Sequence, residues 1–152
     1  MAKAYAQTAG EGWTVPAFFA DQGDGAWDFS YVDSNVSDGI ATITINRPEA
    51  MNALNVLVIG QLTEAVAAAN ANDAVHTIVL DGAGKAFVAG ADVKFFVDKI
   101  RADAIPDIYD LTADGHDLLN MLENSSKTTV ALTTGLALGG GLELALACDY
   151  RI

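Results

Sequence analysis

Residues 128–149 read TTVALTTGLALGGGLELALACD, and the order of residue types in this run decides the fold. Thr128 to Gly135 combines β-branched and apolar residues with a terminal glycine, the composition of a short strand buried on both faces. Leu136-Ala137-Leu138 then leads to Gly139-Gly140-Gly141, and LELALACD predicts a final apolar helix. A strand that ends in glycines and opens a helix presents unpaired N–H groups at the positive end of a helix dipole, an arrangement suited to a negative oxygen. The same order occurs upstream. VHTIVLD, residues 75–81, predicts a buried strand, and the loop from Gly82 to Asp92 carries glycines at 82, 84 and 90 before a helix over Asp92 to Arg101.

Between and ahead of these units the pattern stays regular. Pro106 suits the first turn of a helix whose apolar stripe is Ile108, Leu111, Leu118, Leu119 and Leu122, ending near Asn124. GIATITIN, bounded by Gly39 and by Asn46-Arg47-Pro48, predicts a strand and a turn. Leu54, Val58, Leu62, Ala65, Val66 and Ala69 then recur on one helical face, with Asn52 as the expected N-cap. Tyr150-Arg151-Ile152 reads as the start of another strand. Residues 1–38, with Lys3 their only basic residue and a Gly/Asp-rich run, show no sustained periodicity and are expected to be an appended tail or linker, with the domain occupying 39–152.

Composition narrows the function. A chain of 152 residues with 51% hydrophobic and 18% charged residues has enough apolar material for a core, which predicts a globular α/β protein. No apolar run reaches the roughly 18 residues of a membrane span, and MAKAYAQTAG lacks the order of a secretory signal, so a cytoplasmic location is the default expectation. The formal charge of −12 argues against nucleic acid or an anionic membrane as partner. A self-repelling acidic surface explains it; adaptation to high salt is the sharper alternative. The one cysteine, Cys148, sits in an apolar run and is expected to be a buried reduced thiol.

The glycine turns have competing readings. A nucleotide loop fails on pattern: there is no G-x-G-x-x-G, Gly84-Lys85 is followed by Ala86, and Val79 stands where a P-loop needs its first glycine. Close strand–helix packing is the bland alternative. Glu143 fits that alternative poorly. It is the only charged residue between Lys127 and Asp149, in a run expected to be buried, where an unpaired carboxylate is costly. Two accounts remain open: a first-turn acid favoured by the helix dipole, or a desolvated carboxylate suited to proton transfer beside an anion hole.

Four motifs in one order then resemble the enoyl-CoA hydratase/isomerase, or crotonase, family. Ala86-Phe87-Val88-Ala89-Gly90-Ala91-Asp92-Val93-Lys94 is similar to its first oxyanion-hole signature, and Ala137-Leu138-Gly139-Gly140-Gly141-Leu142-Glu143-Leu144-Ala145 to its second. Asn46-Arg47-Pro48 with Asn52-Ala53-Leu54 resembles the early strand–turn motif, and Gly115-His116, Leu118-Leu119 and Leu122-Glu123-Asn124 fall in family order. The resemblance implies a spiral of strand–strand–helix units that binds an acyl-CoA thioester, with the N–H groups of Ala91 and Gly140 as the oxyanion hole. It places Asp92 and Val93 on the same substrate wall and Lys94 toward the coenzyme A moiety. Glu143 matches one of the two glutamates that hold and deprotonate water in the hydratases, which implies hydration of a trans-2-enoyl-CoA to a 3-hydroxyacyl-CoA; isomerisation, or a fragment without activity, is the alternative. The hydratases' second glutamate is expected beyond Ile152, as part of a domain incomplete at its C-terminus, and homo-oligomers, trimers or dimers of trimers, are expected for the complete protein. The resemblance implies no cofactor beyond the coenzyme A of the substrate and no metal. Residues 5–31 look somewhat like the end of a 3-hydroxyacyl-CoA dehydrogenase domain, as in fusions of the two.

Overall fold

The computed structural model describes residues 31–152. A five-stranded sheet runs in the order β1 (Val32–Ser37), β2 (Ile40–Ile45), β3 (Thr77–Gly82), β5 (Thr128–Ala131) and β7 (Tyr150–Arg151), with β4 (Ala86–Val88) and β6 (Leu136–Ala137) paired in a second, two-stranded sheet. Strands β1 and β2 are antiparallel, and every other pairing is parallel. Each strand pair is followed by helix: α1 (Val56–Ala71), α2 (Val93–Arg101) with α3 (Ile105–Glu123), then α4 (Gly140–Ala147). The chain therefore winds as a spiral of strand–strand–helix units, as the family resemblance implies. In the second and third units the second strand leaves the main sheet, which brings the two glycine-bearing loops together.

The core follows from the apolar periods. Ala41, Ile43 and Ile45 alternate inward along β2 and are fully buried, as are Ile78 and Leu80 on β3. Val58, Ile59, Leu62, Val66 and Ala69 form the buried stripe of α1, and Leu111, Leu118 and Leu122 that of α3. Burying one such aliphatic side chain stabilises by about 1.5 to 3 kcal/mol, so this shared cluster outweighs any surface contact in the molecule.

Three local expectations change. Ala86–Val88 and Leu136–Ala137, expected as loop and connector, pair as the short strands β4 and β6, too brief to show a period of their own. The sheet starts earlier than Gly39: Val32 to Ser37 pairs residue for residue with Ile45 to Ile40, and the folded unit begins at Tyr31. The strand escapes a pattern search because it is an edge strand, half-buried at Val32 and exposed from Asp33 onward, with no face that needs apolar residues. The remainder of the expected tail, including the dehydrogenase-like stretch up to Ser30, lies outside the described residues.

The cap of α1 also differs. Asn55, not Asn52, accepts the Val58 N–H at 2.9 Å. Asn52 lies fully buried at a left-handed φ of 57°, where its carbonyl accepts the Arg47 N–H at 2.9 Å and its amide donates to Ala83, Ala86 and Phe87 carbonyls at 2.9, 2.8 and 3.2 Å. Asparagine suits both roles, because a short polar side chain tolerates that φ and bonds locally. The other expectations for Pro106, the Asn124 end and the strand at Tyr150 stand.

Candidate active site

The two glycine turns abut. Gly90 has φ 95°, and a methyl group on it would lie 3.2 Å from the Leu138 carbonyl oxygen; one on Gly139, at φ 48°, would lie 3.8 Å from the Gly90 Cα. Gly139 combines that φ with ψ −123°, a conformation that side chains other than hydrogen rarely adopt. Gly141 packs tighter still: a methyl group there would meet the Val88 carbonyl oxygen at 2.1 Å, so α4 rests directly on β4. The Leu138 N–H donates to Val88 O at 3.0 Å and fixes the approach.

These turns leave several donors free, those of Ala91 and Gly140 among them. Among the described residues the N–H groups of Ala91 and Gly140 donate no hydrogen bond, whereas the neighbouring amides of Asp92, Gly141 and Glu143 all do. Gly140 opens α4, so its N–H has no intrahelical partner. Ala91 lies between Gly90, whose carbonyl accepts the Leu54 N–H at 2.8 Å, and Asp92, whose N–H donates to Leu54 O at 2.8 Å.

Ala91, Gly140 and Glu143 line one cleft of about 150 Å³. Its apolar wall comes from Leu54, Ile59, Phe96 and Leu144, and α3 closes the side with Leu111, Thr112, Gly115, His116, Leu118 and Leu119. Glu143 stands in the first turn of α4, and its Oε2 is 3.8 Å from where a Gly140 methyl group would sit. Its carboxylate is exposed rather than desolvated, which corrects the expectation of burial. The physical reason is that α4 buries one side only, through Gly141, Leu144 and Ala145, while Leu142 and Leu146 stay 47% and 61% exposed; a run apolar all round carries no period to show which side is covered.

The structure does not bring Asp92, Val93 and Lys94 to the cleft lining. Asp92 caps α2, accepting the Lys94 N–H at 3.1 Å, and pairs with Arg47 Nη2 at 2.8 Å. Val93 is 72% exposed and Lys94 is exposed beside it on the first turn of α2. Sequence reasoning did not single out Leu54, Phe96 or Thr112 as site residues, and treated His116 only as a motif residue. The signal for α3 lay in Leu111, Gly115 and Leu118, whose spacing puts them on one face with Thr112 and His116 beside them.

Cys148 is buried, with its Sγ 3.4 Å from Leu144 O, and burial first, then the neighbouring Asp149 charge, push its thiol up to about 11. It is a packed thiol, as expected. No cluster of three or more His, Cys, Asp or Glu side chains arranged to hold a metal ion occurs among the described residues, and none of their helices is long and apolar enough to cross a membrane.

Comparison with known proteins identifies the family. A model of the enoyl-CoA hydratase/isomerase family matches residues 40–152, and the chain belongs to that family. The crotonyl-CoA hydratase of Syntrophomonas wolfei is 40% identical over 114 residues, covering 74% of this chain and 42% of that protein. A probable enoyl-CoA hydratase of Rhizobium meliloti is 42% identical over 118 residues, with the same two coverages. Among solved structures, an enoyl-CoA hydratase/isomerase of Xanthobacter autotrophicus superposes with a TM-score of 0.73 at 34% identity, over 81% of this chain and 45% of that one. The enoyl-CoA hydratase of Bacillus halodurans gives 0.76 at 28% identity, over 80% and 49%. The chain thus spans a little under half the length of these relatives.

Proposed function

We propose that this chain forms the oxyanion-hole half of an enoyl-CoA hydratase that adds water to a trans-2-enoyl-CoA. The observation that carries the reading is the convergence on one cleft of two amides without partners, Ala91 and Gly140, and one carboxylate, Glu143. Water attacks C3, the C2–C3 π pair moves into the thioester, and negative charge gathers on its carbonyl oxygen before C2 takes up a proton from solvent, to which Glu143 releases the one it has accepted. Two fixed N–H donors stabilise that oxygen without reorganising, typically the largest single contribution to such a step. Glu143 is the one carboxylate on the lining and takes the proton of the attacking water. Its exposure to solvent at the cleft suits a group that must meet water. The small residues Ala91 and Gly140 let the thioester reach the backbone, the apolar wall receives the acyl chain, and Lys94 and its neighbours on the rim of α2 face the coenzyme A phosphates. In the working enzyme the exposed leucines of α4 are covered by further polypeptide, within a homo-oligomer.

The test is turnover by the polypeptide as its organism makes it. Crotonyl-CoA is expected to disappear with formation of 3-hydroxybutyryl-CoA, read by loss of conjugated absorbance and by product mass. Interconversion of 3-enoyl- and 2-enoyl-CoA without gain of water would overturn hydration in favour of isomerisation, and turnover of neither would overturn the enzymatic reading.

A further inference from the structure

Ala91 presents a free N–H only if its peptide plane is held, and the structure shows what holds it. Arg47 lies largely shielded, its side chain 15% exposed, with Nη1 donating to Ala53 O at 3.0 Å and Nη2 against Asp92 Oδ2 at 2.8 Å. Asp92 N–H returns to Leu54 O at 2.8 Å. These bonds close a ring: Arg47 to Ala53, along the chain to Leu54, across to Asp92, and back to Arg47. The second Leu54 bond, from its N–H to Gly90 O at 2.8 Å, secures the other flank of Ala91. The side chain of Leu54 meanwhile reaches the second turn, its Cδ1 3.1 Å from where a Gly140 methyl group would stand.

Arginine itself is anchored from behind. Asn52 Oδ1 accepts the Arg47 N–H and the Asn52 N–H donates to Arg47 O, both at 2.9 Å, and the guanidinium lies 5.5 Å over the Tyr31 ring. Its Nε is 3.8 Å from Glu49, too long for a hydrogen bond, and is the one buried side-chain polar atom among the described residues without a partner. The fork thus engages two nitrogens and leaves the third unsatisfied, so its bonds are directed to Ala53 and Asp92 rather than saturated.

We propose that the Arg47–Asp92 pair is a positioning device for the oxyanion hole, setting the direction of the Ala91 N–H through the Leu54 bracket. Neither side chain lines the cleft, so both act through the backbone and are positioning residues. Asp92 therefore serves the substrate indirectly, which explains an acid placed next to a developing negative charge: its own charge is neutralised by Arg47. The inference rests on the oxyanion-hole reading of Ala91. Lysine cannot replace the arginine, because a single ammonium does not span Ala53 O and Asp92 Oδ2 as a planar fork does.

The experiment compares wild type with Arg47→Lys and Asp92→Asn. Asparagine still caps α2, so Asp92→Asn breaks the ion pair while sparing the helix, and it stands as the informative variant if Arg47→Lys fails to fold. Measured are kcat and KM for crotonyl-CoA, and the infrared stretch of the bound thioester carbonyl, labelled with carbon-13. A donor misdirected by a fraction of an ångström is expected to lower kcat about tenfold to a hundredfold with KM nearly unchanged. The carbonyl stretch, lowered on binding to wild type, is expected to move back toward its value in free crotonyl-CoA. A merely structural pair would lower the melting temperature and leave the stretch of the bound thioester where it is in wild type; that result overturns the proposal. If the wild-type protein itself leaves the carbonyl unpolarised, the oxyanion-hole reading fails first and takes the positioning role with it.

Discussion

Replacing Asn52 with alanine separates two roles that an asparagine ahead of a helix can play. As a helix cap its loss would cost about 1 kcal/mol. As the buried node seen here, its carbonyl accepts one bond and its amide shares two hydrogens among three carbonyls, so three bonds' worth of pairing disappears at a fully buried site. At about 1 kcal/mol net for each, that is about 3 kcal/mol. Alanine must also hold φ 57°, which costs about 1 kcal/mol more, for a total of about 4 kcal/mol. In a domain of this size that corresponds to a fall in Tm of roughly 15 °C. Asn52→Gly loses the same bonds but accepts the backbone angle, and is expected to recover about 1 kcal/mol of the loss. Asn55→Ala, which removes the actual cap, is expected to cost only about 1 kcal/mol. Urea unfolding of the three variants at unchanged m decides the matter. If Asn52→Ala costs no more than Asn55→Ala, the account of a buried node tying the Arg47 turn to the 83–87 segment is wrong.

Glu143→Gln is expected to lower kcat by at least about a hundredfold with KM little changed, as for loss of a general base. Because the side chain is exposed, its Tm is expected to match wild type; a lowered Tm with normal kcat would refute the catalytic role. Gly141→Ala places a methyl group 2.1 Å from the Val88 carbonyl oxygen, so the variant is expected to fold poorly or lose several degrees of Tm, and a wild-type melt would refute the direct seating of α4 on β4. The Cys148 thiol ionises in the folded state only near pH 11, against about 9 when exposed, so the unfolded chain releases its proton first. Stability is therefore expected to be unaffected by this group below pH 9 and to fall as pH rises from 9 to 11, a slope that Cys148→Ala removes; an identical alkaline slope in the variant would refute it.

The sequence determined the order of strand, glycine turn and helix, while the short strands β4 and β6 were read as part of the segments that carry the glycines. Strand composition, the α1 and α3 stripes and the glycine turns are set by periods of two and 3.6 residues and by the steric freedom of glycine, all of which are local properties. Ala91 and Gly140 came from the family resemblance rather than from any local period, whereas Glu143 stood out in the residues themselves as the lone charge between Lys127 and Asp149. What only the tertiary structure decided depends on contacts between distant segments. Asn52 and Asn55 are indistinguishable as caps until the carbonyls of Ala83, Ala86 and Phe87 are brought alongside one of them. Asp92 sits in a motif that suggests substrate contact, yet a residue from a turn 45 positions earlier in the chain claims its carboxylate. Strand β1 forms because β2 offers it an edge, although its own residues carry no apolar face. The exposure of Glu143 follows from which side of α4 finds a partner, and a helix apolar on every side leaves that choice to packing.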